Sequence, residues 1–326
     1  MNRLFSLVTV GILVSVSGLL GCSPTARTSA PPAESAGKGT IGVSLLTLQN
    51  PFFKVIGDRI TAEARAQGYD TIVLSADNDV SKQGNQVKDF IVKRVSMIVL
   101  SPCDPQSIVP IIAEANTAGI PVFTVDIPCP DKSVKIVTQV ATDNFGGGRE
   151  AGQAMIEALG EPGGKVAILH LKQAQSCLLR VQGFREVIDA HNAAGQAPID
   201  IVAELDGGGA KDVGYKAAED ALQAHPDLRG IFAINDPSVL GARAALEKAG
   251  KADQVVLVGF DGMPEGKQAI KEGKVYADPI QFPEQMAVEV VRAFIAYSKG
   301  EEVQPEILIP TRLYRKSDAD ADPALK

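Results

Sequence analysis

Residues 97–126 read MIVLSPCDPQSIVPIIAEANTAGIPVFTVD, and they contain the repeating unit of the fold. Two short apolar runs, Met97–Leu100 and Pro121–Val125, flank a longer segment of mixed polarity. Neither run alternates between apolar and polar residues, which is typical of parallel strands that helices cover on both faces. The stretch therefore predicts a strand, a helix and a second strand parallel to the first.

The same alternation of apolar runs and helical segments continues over most of the chain. Within Ser81–Lys93, for example, Val87, Phe90 and Ile91 fall on one helical face. The other strand candidates are Ile41–Leu46, Thr71–Ser75, Ile136–Ala141, Val166–Leu169, Ile199–Val202, Gly230–Ala233 and Val255–Val258. Two consecutive series predict an α/β protein with two doubly wound, Rossmann-like lobes.

The first 22 residues have the pattern of a secretion signal. Arg3 precedes an apolar run from Leu4 to Leu20, which is followed by Gly21 and Cys22. The run is short and ends in small residues, as in a signal peptide rather than a spanning helix. The ending Leu-Leu-Gly-Cys resembles the bacterial lipobox, so we expect a lipoprotein signal peptide over 1–21 and lipidation of Cys22. The alternative is an ordinary signal peptide that contains a cysteine.

Composition and charge limit the classes of partner. The formal net charge of −7 argues against nucleic acid, which needs a basic face. Residues 22–38 are rich in Ser, Ala and Pro, so we expect a flexible tether. Residues 317–326 are acidic, and we expect a disordered tail without a role.

The cysteines and histidines predict neither a metal site nor a cofactor site. The three histidines share no ligand spacing with any cysteine. Besides Cys22, the chain has Cys103, Cys129 and Cys177, so at most one intramolecular disulfide can form. Cys103 and Cys129 each follow a strand candidate at the same predicted sheet edge, and either a bridge between them or free thiols fits the sequence.

Polar and aromatic residues recur where the predicted strands end, which is where ligands bind in doubly wound sheets. These strand-end residues are Asn50, Phe52, Phe53, Ser101, Asp126, Asn235, Phe260, Asp261 and Gln281. Carboxylates accept hydrogen bonds from sugar hydroxyls, amides both donate and accept, and aromatic rings lie flat against sugar C–H faces. Each residue alone is also common in turns and helix caps, but the recurrence in both lobes favours a sugar site.

At these residues the chain resembles the type I periplasmic binding proteins, and among them the ribose-binding-like monosaccharide receptors. The motifs that carry the resemblance are Asn50-Pro51-Phe52-Phe53, Gly119-Ile120-Pro121-Val122 leading to Asp126, Thr142-Asp143-Asn144, Gly183-Phe184, Ala224-His225-Pro226-Asp227, Asn235-Asp236 and Val258-Gly259-Phe260-Asp261-Gly262. The resemblance implies hydroxyl ligands at Asn50, Asp126, Arg180, Asn235, Asp261 and Gln281. It also implies stacking rings at Phe52 and Phe53, with Phe260 at the base of the site.

The resemblance further implies two lobes joined by a three-strand hinge. The expected N-terminal lobe comprises 39–142 and 282–308, and the expected C-terminal lobe comprises 143–281 and 309–316. Three positions depart from the ribose-receptor pattern, namely Leu46, Ser101 and Ile127, and the family aromatic near Gly207–Gly209 is missing. A pentose or a hexose, such as ribose or fructose, therefore fits equally well, as does a polyol.

The sequence predicts a monomeric, membrane-anchored receptor that works outside the cytoplasm. It would capture a monosaccharide by hinge closure and deliver it to an ABC permease with a cytoplasmic ATPase. A sensor domain that presents a sugar, polyol or signal molecule to a membrane receptor is the alternative. A carbohydrate-active enzyme is disfavoured, because the chain lacks a G-x-S-x-G elbow, an H-E-x-x-H motif and a phosphate-binding G-x-x-x-x-G-K loop.

Overall fold

The computed structural model describes residues 37–325, which contain twelve strands and ten helices. The strands are β1 (Thr40–Leu45), β2 (Asp70–Ser75), β3 (Met97–Leu100), β4 (Val122–Val125), β5 (Gln139–Thr142), β6 (Gly164–His170), β7 (Ile199–Asp206), β8 (Leu228–Ala233), β9 (Val256–Val258), β10 (Ala277–Ile280), β11 (Glu306–Ile309) and β12 (Arg312–Arg315). The helices are α1 (Pro51–Ala66), α2 (Val80–Val92), α3 (Val109–Thr117), α4 (Asn144–Leu159), α5 (Gln175–Ala193), α6 (Lys211–Ala224), α7 (Asp236–Lys248), α8 (Pro264–Lys271), α9 (Pro283–Ser298) and α10 (Lys316–Ala321).

The strands form two six-stranded sheets, one in each lobe. The first has the order β11-β5-β4-β3-β1-β2, and all its neighbouring strands are parallel. The second has the order β12-β10-β9-β8-β6-β7 and is parallel except for β12, which runs antiparallel to β10. Central strands such as β3 and β4 are buried along their whole length, as their unbroken apolar runs predicted. The prediction of two doubly wound α/β lobes is confirmed.

The chain passes between the two sheets three times: after β5, after β10 and after β11. Two of these crossings are joined by a hydrogen bond, because the Thr142 hydroxyl donates to Oε1 of Gln281 at 2.5 Å. Phe282, the next residue, packs against the apolar cores of both lobes. After the second crossing, α9 buries Val290 and Phe294 in the core of the first lobe. The crossings form the hinge between the two lobes.

The described residues bear on the predictions about disulfides and about membrane-spanning helices. Cys103, Cys129 and Cys177 are free thiols, so the bridge between Cys103 and Cys129 is not formed. No helix within residues 37–325 combines the length and the apolar character that a membrane crossing requires. The predicted signal peptide and Cys22 lie outside the described residues.

The prediction of a disordered acidic tail over 317–326 is wrong for its first half, which forms α10. Ala319 is fully buried in the core of the second lobe. The acidic side chains of this segment bind partners that the composition of the tail does not predict. Arg312 pairs with Asp318 at 2.8 Å, and the Tyr314 hydroxyl donates to Asp322 at 2.9 Å. Burial of one alanine and these side-chain contacts order a segment whose composition predicts disorder.

We expect Ala319→Asp to lower the free energy of unfolding by roughly 1–3 kcal/mol, because it places a carboxylate in an apolar contact. Ala321→Asp is the matched control, since Ala321 is exposed on the same short helix. Urea unfolding followed by circular dichroism measures both variants. Equal stability of the two variants would show that α10 does not dock on the second lobe.

Candidate functional site

Two aspartates lie where the central strands of the two sheets end. Asp126 follows β4 in the first lobe, and Asp261 follows β9 in the second. Both have left-handed backbones, with φ of 65° and 104°, which non-glycine residues adopt at some cost in free energy. Their backbone N–H groups donate to Val140 and Pro279 at 2.8 and 3.2 Å, and these bonds hold the strained positions in the sheets. The chain therefore presents one carboxylate from each lobe at the same cleft.

Arg180 on α5 is the buried cation of this cleft. Its Nη1 donates to Oδ1 of Asp261 at 3.0 Å and to the carbonyl of Ile234 at 2.7 Å. Its Nε donates to Oδ1 of Asn144 at 2.8 Å. The guanidinium carbon lies 3.8 Å from the centre of the Phe260 ring, a cation–π contact that fixes its plane. Only 5% of Arg180 is exposed, so this charge depends on protein partners instead of water.

Glycines bring α4 and α5 close enough to place Arg180. A side chain at Gly148 would collide with the carbonyl of Arg180, and one at Gly183 would collide with the carbonyl of Phe145. A side chain at Gly147 would meet the Phe260 ring. Gly148 and Gly183 therefore serve the packing of α4 against α5, and this packing turns Arg180 inward from a helix that sequence pattern alone would place at the surface.

Gln281 connects this charged cluster to the hinge. Its Nε2 donates to Oδ1 of Asp261 at 2.6 Å, while its Oε1 accepts from Thr142 in the neighbouring crossing. Its backbone N–H donates to the carbonyl of Asp261 at 2.9 Å. Gln281 therefore contacts both the central carboxylate and a neighbouring crossing of the hinge.

Burial raises the pKa values of the two aspartates in the cluster, and the positive charge of Arg180 lowers them. Burial raises the pKa of Asp126 to about 6; the charge of Arg180 opposes this rise, and that of Asp261 adds to it. Burial also raises the pKa of Asp261, while Arg180 and the hydrogen bond from Gln281 lower it. Asp126 and Arg180 come from opposite lobes, and the influence of Arg180 on the pKa of Asp126 indicates that both groups face the same cleft.

The predicted asparagines take structural roles at helix starts. Oδ1 of Asn50 accepts from the backbone N–H of Phe52 at 3.0 Å and caps α1. Oδ1 of Asn235 accepts from the N–H of Ser238 at 3.0 Å and caps α7, and its Nδ2 donates to the carbonyl of Gly209 at 3.0 Å. Both asparagines therefore lie at strand ends as predicted, with part of their hydrogen-bonding capacity already used.

The predicted aromatic residues and Ser101 differ in how they relate to the cluster. Phe52 and Phe53 pack edge to face, with ring centres 5.3 Å apart, in the core of the first lobe. Met263, on the loop after β9 of the second lobe, packs against that same core. Ser101 is fully buried, and its backbone groups bond Ser44 and Gln83 within the first lobe. Among the described residues, no hydrogen bond or ring contact links Ser101, Phe52 or Phe53 to Arg180.

Sequence reasoning missed several residues of this region. Asn144, which orients Arg180, stood within a quoted motif but received no role. Cys177 lies one helical turn before Arg180 and is buried beside the charged cluster. Asp236 reads as a helix cap, yet Asn235 caps α7 and Asp236 bonds Met263 instead. A charged residue within the apolar strand Ala277–Ile280 was the available signal for the buried Asp278.

Apolar side chains also lie at the mouth of the first lobe. Leu46, Leu48 and Ile127 are partly buried and pack on the core that contains Phe52 and Phe53. Within residues 37–325, no group of three or more His, Cys, Asp or Glu side chains is placed to hold a metal ion. The cleft thus combines an apolar margin with carboxylate, amide and guanidinium groups, which suits an uncharged ligand with many hydroxyl groups.

Two α/β lobes, a three-strand hinge and a polar cluster between them define the class of hinged binding proteins. The family profile of the periplasmic binding protein domain matches residues 41–302, and the chain belongs to this family. Similar relatives include the ribose import binding protein RbsB of Salmonella typhimurium, 33% identical over 90% of this chain and 96% of that protein. The ribose import binding protein RbsB of Bacillus subtilis is 34% identical over 94% and 97%.

A solved structure extends the comparison. The ABC transporter periplasmic solute binding protein of Actinobacillus succinogenes, with bound D-allose, superposes with a TM-score of 0.80 at 26% identity. The match covers 87% of this chain and 100% of that one. The resemblance to type I periplasmic binding proteins is thereby confirmed over nearly all of the described residues.

We expect Arg180→Met to lower the free energy of unfolding by about 3–5 kcal/mol at pH 8, because it leaves buried carboxylates without their cation. The loss should shrink toward pH 4, where protonation of Asp126 and Asp261 removes the uncompensated charge. Arg185→Met is the control, since its ion pair with Glu204 is partly exposed and contributes less than about 1 kcal/mol. A pH-independent loss in Arg180→Met would contradict this electrostatic account.

Proposed function

We propose that this protein captures a monosaccharide between its two lobes and delivers it to an ABC permease. The observation that carries the proposal is the buried cluster of Asp126, Arg180 and Asp261, which draws one carboxylate from each lobe around a single cation. Similar proteins are named as ribose import binding proteins, and a similar structure of an ABC transporter binding protein holds D-allose.

The side chains of the cluster match the chemistry of sugar hydroxyl groups. Asp126 and Asp261 accept hydrogen bonds when ionised, and Arg180 and Gln281 donate them. Sugar hydroxyl groups both donate and accept, so one ring can bridge groups of both kinds. We propose Asn50, Ser101 and Asn235 as further polar ligands, Phe52 and Phe53 as stacking rings, and Phe260 as the floor beneath Arg180.

The hinge supplies the mechanism by which binding becomes a signal for delivery. A ligand that bonds Asp126 in the first lobe and Arg180 in the second gains its full set of contacts only when the lobes are closed. It therefore shifts the population toward the closed shape. The bond between Thr142 and Gln281 lies across the hinge and contacts Asp261, so closure and alignment of this carboxylate are coupled. The permease would recognise the closed shape.

The ligand that we propose is a pentose or a hexose, such as ribose or fructose. Ile127 directly after Asp126 places an apolar group where the ribose-receptor pattern has a charged donor. The loop Gly207–Gly209 carries no aromatic ring, and Asn235 bonds its backbone. Both features lower the demand for one particular hydroxyl pattern, so a polyol also fits this site.

Two other functions use the same fold. A sensor would bind the same ligand and present the closed form to a membrane receptor instead of a permease. An enzyme would need a nucleophile or a proton donor aligned with a scissile bond. In this site Asp261 is held by Arg180 and Gln281, an arrangement that suits hydroxyl binding. We therefore propose a binding function without catalysis or cofactor.

We also propose that the protein works outside the cytoplasm as a monomer, tethered through diacylglycerol on Cys22. The motif Leu19-Leu20-Gly21-Cys22 supports lipidation, and the following residues to 38 would be the tether. The lobes would comprise 39–142 with 282–308 and 143–281 with 309–316. Membership of the periplasmic binding protein family supports an extracytoplasmic site of action.

Titration calorimetry against pentoses, hexoses, polyols and amino acids tests the ligand class. We expect binding by one or more sugars, and we expect Asp261→Asn to weaken it at least about tenfold, because an ionic acceptor is lost. Asp253→Asn, an exposed position in the same lobe, is the control. Binding of amino acids alone would contradict the proposed chemistry, and unchanged affinity in folded Asp261→Asn would contradict the proposed site.

Cell fractionation and mass spectrometry test the anchor. We expect the mature protein to begin at Cys22, to carry a diacylglycerol mass and to sediment with membranes. The Cys22→Ala variant should lose this modification and the membrane association, whereas Cys103→Ala should keep both. A mature N-terminus at another residue in the unaltered protein would contradict the lipobox prediction.

A further inference from the structure

Two carboxyl groups lie beneath the proposed ligand site, and neither pairs with a cation of residues 37–325. Asp236 is the first residue of α7 and is 2% exposed, and Asp278 is on β10 and is fully buried. The two side chains are within hydrogen-bonding reach of one another. Two ionised carboxylates buried side by side would repel one another strongly, so the pair requires a physical explanation.

The protein supplies almost no donors to this pair. Oδ2 of Asp236 accepts from the backbone N–H of Met263 at 2.6 Å. Oδ1 of Asp236 and both carboxyl oxygens of Asp278 complete no hydrogen bond with a donor among the described residues, although the backbone N–H of Gly259 lies near enough to lower the pKa of Asp278. Buried carboxyl oxygens without donors are costly, and the remaining source of a hydrogen bond within the pair is a proton on one of its own oxygens.

Glycines on two separate elements make room for the pair. A side chain at Gly259, directly after β9, would collide with Oδ1 of Asp278. A side chain at Gly266, on α8, would collide with Oδ1 of Asp236. The carboxyl groups thus occupy space that two neighbouring elements leave free.

We propose that Asp236 and Asp278 share one proton, and that the resulting hydrogen-bonded pair is a positioning element for the loop Asp261–Met263. The protonated carboxyl donates to its ionised partner, while Oδ2 of Asp236 accepts from the N–H of Met263. This arrangement ties β10, α7 and the loop after β9 together at one point. Asp236 and Asp278 are positioning residues, since they act through the loop that carries Asp261.

The surrounding charges agree with a retained proton. Asp261 on the loop is the further charged group whose field acts on both carboxyls, and Arg180 on α5 faces Asp261. Burial raises the pKa of Asp278 to about 6, and burial together with the charges of Asp278 and Asp261 raises the pKa of Asp236 well above its usual range. Stability from a raised carboxyl pKa is present at low pH and is lost as pH rises through the folded-state value.

Thermal unfolding of the full chain without ligand, from pH 5 to pH 9, tests the shared proton. We expect the midpoint of the wild type to fall over this range relative to Asp278→Asn, whose amide donates to Asp236 at every pH. The difference between the two midpoints should change by at least about 2 °C. The Asp253→Asn control should follow the wild type. Parallel profiles of wild type and Asp278→Asn would overturn the proposal.

Hydrogen exchange at the amide of Met263 tests the positioning role separately. We expect at least about tenfold faster exchange in Asp236→Ala, and protection close to that of the wild type in Asp236→Asn, whose amide oxygen still accepts. Unchanged protection in Asp236→Ala would overturn the role of the pair in holding the loop. Both measurements omit the ligand, so they stand apart from the sugar titration.

The effect of the pair on binding rests on the proposed function. We expect Asp236→Ala to weaken binding of the sugar identified by titration at least about tenfold, since the loop also carries Asp261, and Asp236→Asn to restore most of the affinity. Loss of loop protection together with unchanged sugar affinity would overturn the link between the pair and the ligand site. If no sugar binds the wild type, the proposed function fails while the shared-proton result remains independent.

Discussion

The buried guanidinium of Arg180 is the constraint on which the rest of the site depends. Its partners come from α4, the end of β8 and the end of β9, so its position fixes three elements of the second lobe at once. The Phe260 ring beneath it leaves one plane for the group. With the cation in place, Asp261 and Asp126 can remain buried at the cleft; without it, burial favours their protonation. A preorganised pair of acceptors in a closed cleft is what binding of a polyhydroxylated ligand requires.

The hinge and the charged cluster form one continuous hydrogen-bonded system. Gln281 bonds Asp261 on one side and Thr142 on the other, and Thr142 belongs to a different crossing between the lobes. Phe282 packs against both cores directly beyond it. A rotation that separates Thr142 from Gln281 would therefore disturb the residue that also bonds Asp261. The hinge and the acceptor groups thus share one hydrogen-bonded residue, Gln281.

The second lobe buries two carboxyl groups, Asp236 and Asp278, in positions where apolar side chains would pack without an electrostatic cost. The carboxyl groups of Asp278 and Asp236 occupy the space that side chains at Gly259 and Gly266 would otherwise fill. In return, the pair connects α7 and β10 to the loop of Asp261 through the N–H of Met263. A core of apolar residues would lack the hydrogen bond from the N–H of Met263 to Asp236. Burial of the two carboxyl groups costs stability, and the hydrogen bond from Met263 holds the loop that carries Asp261.

The sequence by itself determined the two α/β lobes, because unbroken apolar runs such as Met97–Leu100 are recognisable without any long-range information. It also placed Asp126 and Asp261 at strand ends, since topology fixes where such residues lie. Only the tertiary structure decided the direction of Arg180, the order of α10 and the pairing of Asp236 with Asp278. These three features depend on contacts between residues distant in sequence. None of these contacts leaves a periodic signal in the sequence. Charge and pattern alone therefore predict a surface position for Arg180, disorder for the tail that contains Ala319, and a helix cap at Asp236.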